Sequence, residues 1–145
     1  MNVDEEKITS AGVEIWVKRP VKSASKQSSK VVRIDTANLQ TSVPNMDDPW
    51  ASPLRLIEGD GFVLDISQRR RSMPFWHRNL DFDELIFCFE GKVTWETDQG
   101  SFELKSGEML IIPRAIAHRV VVNDQESEYV ALEIKSKKIE TKHSS

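Results

Sequence analysis

The chain has 145 residues, a formal net charge of −3 and a single cysteine. That length suits one domain with one core. The mild acidity gives no general electrostatic reason to bind nucleic acid or an anionic membrane, and one cysteine excludes an internal disulfide framework. The first residues, Met-Asn-Val-Asp-Glu-Glu-Lys, are acidic and polar, unlike a secretory signal. No apolar run approaches the roughly 20 residues of a membrane-spanning helix. The expected location is the cytoplasm.

Residues 1–58 read as an irregular extension. Val13–Lys18 and Val31–Ile34 have the β-branched, apolar character of short strands. Arg19–Lys30, rich in Ser and Lys, reads as a mobile loop. Leu39–Met46 has room for one helical turn, and Pro44, Pro49 and Pro53 exclude long regular elements around Trp50. From Gly61 the pattern changes to short apolar runs divided by turn residues. The predicted strands are Phe62–Ser67, Met73–His77, Glu84–Phe89, Lys92–Thr97, Phe102–Leu104, Met109–Ile112, Ala117–Val122 and Tyr129–Lys135. Asp98-Gln99-Gly100 is a hairpin signal, because glycine tolerates the positive φ of such turns. Closely spaced short strands predict an all-β sandwich or barrel over residues 59–136. Residues 137–145 read as a polar, flexible tail in which His143 is not a ligand candidate.

Two of the three histidines, His77 and His118, fall in this β region, the first beside the acids Asp81, Asp83 and Glu84. Imidazole with carboxylate is a ligand set for a divalent first-row metal. Two imidazoles and one carboxylate leave about three positions of an octahedral ion open, as in the facial triad of non-haem iron oxygenases. Alternation across a strand puts Asn79 on the face of His77. There its amide can ligate weakly, hold a neighbouring group or simply shape a turn. Cys88 and Glu90 share the parity of Glu84. Cys88 reads as a small buried hydrophobe, and Glu90 is a candidate general base. Arg71, and Arg69 before it, share the parity of His77 if the strand continues back through Pro74. Arg71 and the turn residue Arg114 are candidates to bind a substrate carboxylate. Phe75 and Ile86 are candidate pocket walls.

The two segments resemble the two motifs of the cupin superfamily. His77, Glu84 and Gly91 fit the first motif, with Asn79 in place of its second histidine and Arg71 where it opens on glycine. Gly107, Pro113 and His118 fit the second, with Ala115 for its second glycine and Val122 for its closing asparagine. The resemblance implies a single cupin (jelly-roll) barrel and selects His77, Glu84 and His118 as ligands of a divalent ion, Fe(II) ahead of Mn, Ni or Zn. The string Phe75-Trp76-His77-Arg78-Asn79 with a following Glu is also similar to the ligand segment of homogentisate 1,2-dioxygenase, at a spacing one residue longer. That similarity implies a dioxygenase acting on an aromatic diol or other chelating hydroxy acid. The alternatives are a metal-dependent isomerase or lyase, and a non-catalytic small-molecule-binding cupin. A small-molecule substrate is the expected partner, in a homodimer with Trp16 or Trp76 near the contact.

Overall fold

The structure is a computed structural model that describes residues 3–10, 12–20, 30–39, 47–50, 52–123 and 128–144. Residues 21–29 and 40–46, which hold most of the predicted mobile loop and most of the predicted helical turn, lie outside the described residues. The chain divides into two compact units, Met1–Ile34 and Asp35–Ser145. In the first, β1 (Val3–Ser10) and β2 (Val13–Pro20) form an antiparallel hairpin. Gly12 supplies the positive φ of its turn, +77°. The acidic residues 3–10 thus form a strand that their composition does not predict. Val31–Ile34 forms none, and its side chains stand in solvent, with Val31 fully exposed. β-branched residues favour a strand only where a neighbouring strand accepts their hydrogen bonds.

The second unit opens with a single helical turn, α1 (Thr36–Leu39). Two antiparallel sheets follow. One contains β3 (Leu54–Gly59), β4 (Phe62–Arg69), β5 (Asp83–Glu90), β8 (Met109–Ile112) and β10 (Tyr129–Ser136), in the order β3-β4-β10-β5-β8. The other contains β6 (Lys92–Thr97), β7 (Gly100–Lys105) and β9 (His118–Val121), in the order β7-β6-β9. No described helix is long and apolar enough to cross a membrane.

Register decides what faces inward, because partnered residues share a face. On β10, Ala131 pairs with Ser67 and Cys88, and Glu133 pairs with Asp65 and Ile86. On β6, Trp95 pairs with Phe102 and Val120, and Val93 pairs with Leu104. These faces supply a core of Ile86, Cys88, Val93, Trp95, Leu104, Val120, Tyr129 and Ala131, each at most 3% exposed. Cys88 is packed as a small hydrophobe, and burial pushes its thiol up to about 11.

Two sequence readings change here. β3 joins the five-stranded sheet, although its first five residues fall within the segment read as an irregular extension. Met73–His77 is no regular strand, because its contact with β9 is reduced to one bond from Met73 N–H to the Val120 carbonyl and an isolated bridge from His77 to His118. Pro74 cannot donate a ladder hydrogen bond, which accounts for the break. The close of the first motif has a steric reason. Gly91 has a φ of +89°, and a Cβ there would run into the backbone carbonyl of Glu128.

Candidate metal centre

The His77 bridge brings the two motifs together. His77 N–H donates to the His118 carbonyl at 3.0 Å, and His118 N–H returns a bond to the His77 carbonyl at 2.9 Å. Their rings consequently lie edge to face, with centroids 4.2 Å apart. Glu84, at the start of β5, reaches the same point. Its Oε2 is 3.2 Å from His118 Nε2, with both residues buried. The structure therefore brings His77, Glu84 and His118 together.

Local contacts select the nitrogen that His118 offers. Its Nδ1 lies 2.8 Å from the Ile116 carbonyl oxygen, which can only accept, so Nδ1 carries the proton. Nε2 is left facing Glu84 without an aligned hydrogen bond, and His77 Nδ1 is likewise buried and unpartnered. Unsatisfied imidazole nitrogens beside a carboxylate suit a cation. Donors about 2.0–2.2 Å from one ion stand about 3 Å apart at right angles, close to the Nε2–Oε2 separation. The chemistry of these donors and the His118–Glu84 separation fit a first-row divalent ion, although among the described residues no three His, Cys, Asp or Glu groups stand in position to hold one.

The electrostatics of the metal-free cluster differ from group to group. Burial, then the neighbouring His118, lowers His77 to about 4, so its ring is neutral at physiological pH. Burial also pulls His118 down, but Glu84 and the Ile116 carbonyl outweigh it and its pKa is raised. Burial pushes Glu84 up, and His118 with Lys135 more than reverses this, so its carboxylate stays ionised.

Of the other sequence candidates, Phe75 and Ile86 wall this space. The Phe75 ring lies 5.7 Å from that of His77 and stacks on Trp50 at 4.9 Å and 13°. Ile86 is fully buried, two residues along β5 from Glu84. Asn79 closes a turn, its Oδ1 accepting the backbone N–H groups of Asp81 and Phe82 at 3.0 Å each. Its own carbonyl accepts the N–H of Ala115 at 2.7 Å, tying the two motif loops together. Asp83 is occupied elsewhere, since its oxygens accept from the N–H groups of Arg114 and Ile139, at 2.9 Å each.

The remaining candidates lie away from the cluster. Glu90 is exposed at the opposite end of β5 from Glu84, and six residues of strand separate them by about 20 Å. Arg114 is exposed, with Nη2 donating to the Lys137 carbonyl at 2.8 Å, so it anchors the C-terminal segment. Arg71 is exposed because the strand parity that would turn it inward ends at Arg69.

Sequence reasoning missed Glu133. It shares the inward face with Asp65 and Ile86, and burial raises its carboxyl to about 7. Its parity with Ala131, in a strand otherwise apolar at that point, is the available signal. Asp65, 2% exposed, is held by Arg55 Nε at 2.6 Å and Lys135 Nζ at 3.7 Å.

Residues 62–135, just over half of the chain, match the Cupin domain family. The chain belongs to that family. Among relatives, it is 26% identical over 87 residues to the Saccharolobus solfataricus protein named "Putative dioxygenase". That stretch is 59% of this chain and 22% of the relative, so the chain spans about a fifth of that protein's length. A cupin-2 domain protein from Shewanella frigidimarina superposes with a TM-score of 0.59 at 20% identity, over 71% of this chain and 93% of that one. The Fe(II) form of HppE in complex with substrate gives 0.51 at 11% identity, over 57% and 52%. At these identities the two structural likenesses speak for the fold alone.

Proposed function

We propose that this cupin is a non-haem Fe(II) dioxygenase acting on an aromatic diol or another chelating hydroxy acid. The observation that carries the reading is the meeting of His118 Nε2, Glu84 and the neutral His77 ring inside the barrel. The relative named "Putative dioxygenase" supports it, and an Fe(II) enzyme shares the fold. Three protein ligands leave room for a bidentate substrate and O₂. Asn79 does not crowd that room, because its amide oxygen is spent on two backbone N–H groups.

An Fe(II) ion held there supplies Lewis acidity and the electron that O₂ needs. The chain does the rest. The Ile116 carbonyl holds His118 in the tautomer that presents Nε2. Phe75 and Ile86 exclude water from one side of the site, which strengthens every charge interaction within it. Glu133, raised to about 7, would serve as the base that accepts a hydroxyl proton from a bound diol.

Anaerobic purification followed by metal analysis tests the reading. About one first-row ion per chain is expected in the native protein and less than a tenth of that in the double variant His77→Ala/His118→Ala. O₂ uptake with Fe(II) and a panel of diols and hydroxy acids then tests the chemistry. Full metal occupancy in the double variant would sink the ligand assignment. Anaerobic isomerisation or elimination, without any O₂ uptake, would replace the dioxygenase by a Lewis-acid enzyme.

A further inference from the structure

The two edges of the five-stranded sheet are finished differently. β3 carries the charged Arg55 and Glu58, and its register slips between Arg55 and Ile57. Both features blunt an edge against pairing with another chain. β8 has neither. Met109, Leu110, Ile111 and Ile112 are all apolar, their register with β5 is unbroken, and Met109 is 64% exposed. The ladder decides which backbone groups face outward. Cys88 N–H donates to the Glu108 carbonyl. Hydrogen-bonding residues alternate along an antiparallel strand, so Glu108, Leu110 and Ile112 turn towards β5. The N–H and C=O groups of Met109 and Ile111 point away from it. No described strand pairs with that side of β8. Beside it lies an open groove of about 660 Å³, walled by Phe102, Met109, Ile111 and Ile139.

We infer that the outer edge of β8 pairs antiparallel with β8 of a second copy of this chain, joining the two five-stranded sheets into one. A two-fold axis at Leu110 makes the edge its own complement. Met109 exchanges both backbone bonds with Ile111 of the second copy, and Ile111 does the same with its Met109, so every outward N–H and C=O of the two strands is satisfied. The same register sets Glu108 of each copy diagonal to Arg114 of the other, at a separation of about 7–8 Å that long side chains cross. Both residues are exposed and of opposite charge. A foreign strand would gain the backbone bonds without this charge match. The shortness of β8 makes the association a weak one, at the small end of protein interfaces. The homodimer contact thus lies at β8 rather than at Trp76, whose ring already has the Arg119 guanidinium over it.

Sedimentation velocity of the full chain at about 1 to 100 μM tests the pairing. The wild type should pass from monomer to dimer across that range. Met109→Pro removes one outward N–H from each copy and spares the β5 ladder, because that N–H faces away from β5. It should remain monomeric at the highest concentration, while Met109→Leu dimerises as the wild type does. Glu108→Arg sets like charges diagonally across the axis and should weaken the dimer about tenfold, and Glu108→Arg/Arg114→Glu should recover it. A wild type that stays monomeric throughout would overturn the inference. So would a folded Met109→Pro protein that dimerises as tightly as the wild type, since the contact would then lie on another face. If Met109→Pro does not fold, the charge pair decides. Loss in the single variant with recovery in the double supports the β8 register, and any other pattern overturns it.

Discussion

The two ends of the barrel interior solve opposite problems along the same strands. At one end Cys88, Val93, Leu104, Val120 and Ala131 close an apolar core, each at most 3% exposed. At the other, the buried Glu84 and His118 meet the half-buried His77 and Lys135 and bring charge and imidazole into the interior. On β5 the two ends are the same alternating face, Glu84, Ile86 and Cys88, read four residues apart, or about 13 Å of strand. Packing at the first end supplies the stability that allows the second to hold groups with unsatisfied nitrogens. A site of this kind is a destabilised patch on a stable frame, and mutations at the two ends should behave accordingly.

The largest expected effect comes from opening the frame. Ile86→Ala removes a fully buried side chain where the two ends meet. It should cost about 2–5 kcal/mol in urea unfolding. A loss under 1 kcal/mol would mean that this position is not core.

The polar end should respond to acid. An ordinary histidine titrates near 6.5, while His77 titrates near 4 in the fold. Between those values the unfolded chain binds a proton that the native chain does not, so this residue lowers stability as pH falls from about 6.5 to about 4 and contributes nothing above. His118, with its raised pKa, works the other way, its contribution being present at low pH and lost as pH rises through that value. His77→Ala should therefore gain relative to wild type on the order of 2 kcal/mol at pH 4 compared with pH 7, in metal-free protein. Parallel pH curves for the two proteins would contradict the burial of the neutral ring.

The loop that frames the polar end is sharpened by Asn79→Ala. Two backbone N–H groups lose their acceptor, a change on the order of 1–2 kcal/mol by thermal unfolding, with metal content retained. Asn79→Asp, which keeps an acceptor, should recover most of it.

The smallest effect belongs outside the barrel. Arg119 Nε donates to Glu96 at 2.8 Å, and its guanidinium lies 5.0 Å from the Trp76 ring centroid. Arg119→Ala should cost about 0.5–1 kcal/mol in the same assay and leave both ends of the interior untouched.

Much of this arrangement can be read from the residues alone, and the reason is local. Alternation and turn glycines are properties of short segments, so most barrel strands, the hairpin at Asp98–Gly100 and the proximity of His77, Glu84 and His118 emerge from motif spacing. What escapes is set by pairing between distant segments. Glu133 acquires its meaning only when β10 takes its register against β4 and β5. Glu90 fails for the same reason in reverse. Parity correctly gives it the face of Glu84, but parity says nothing about which end of a strand is which. Arg114 and Asp83 look like site residues because they flank the motifs, yet each is committed to the C-terminal segment by a partner more than twenty residues away.

Ala115 stands where the cupin motif has glycine, and its φ of +70° is one that a side chain tolerates poorly. The bond from its N–H to the Asn79 carbonyl holds it in that conformation. The joint between the two ligand-bearing loops is thus a loaded spring with its catch on the other loop. Whatever loosens Asn79 releases Ala115 as well, while His77 and His118 keep their own paired backbone bonds. Glycine at this position would relax the spring and make the joint between the loops softer.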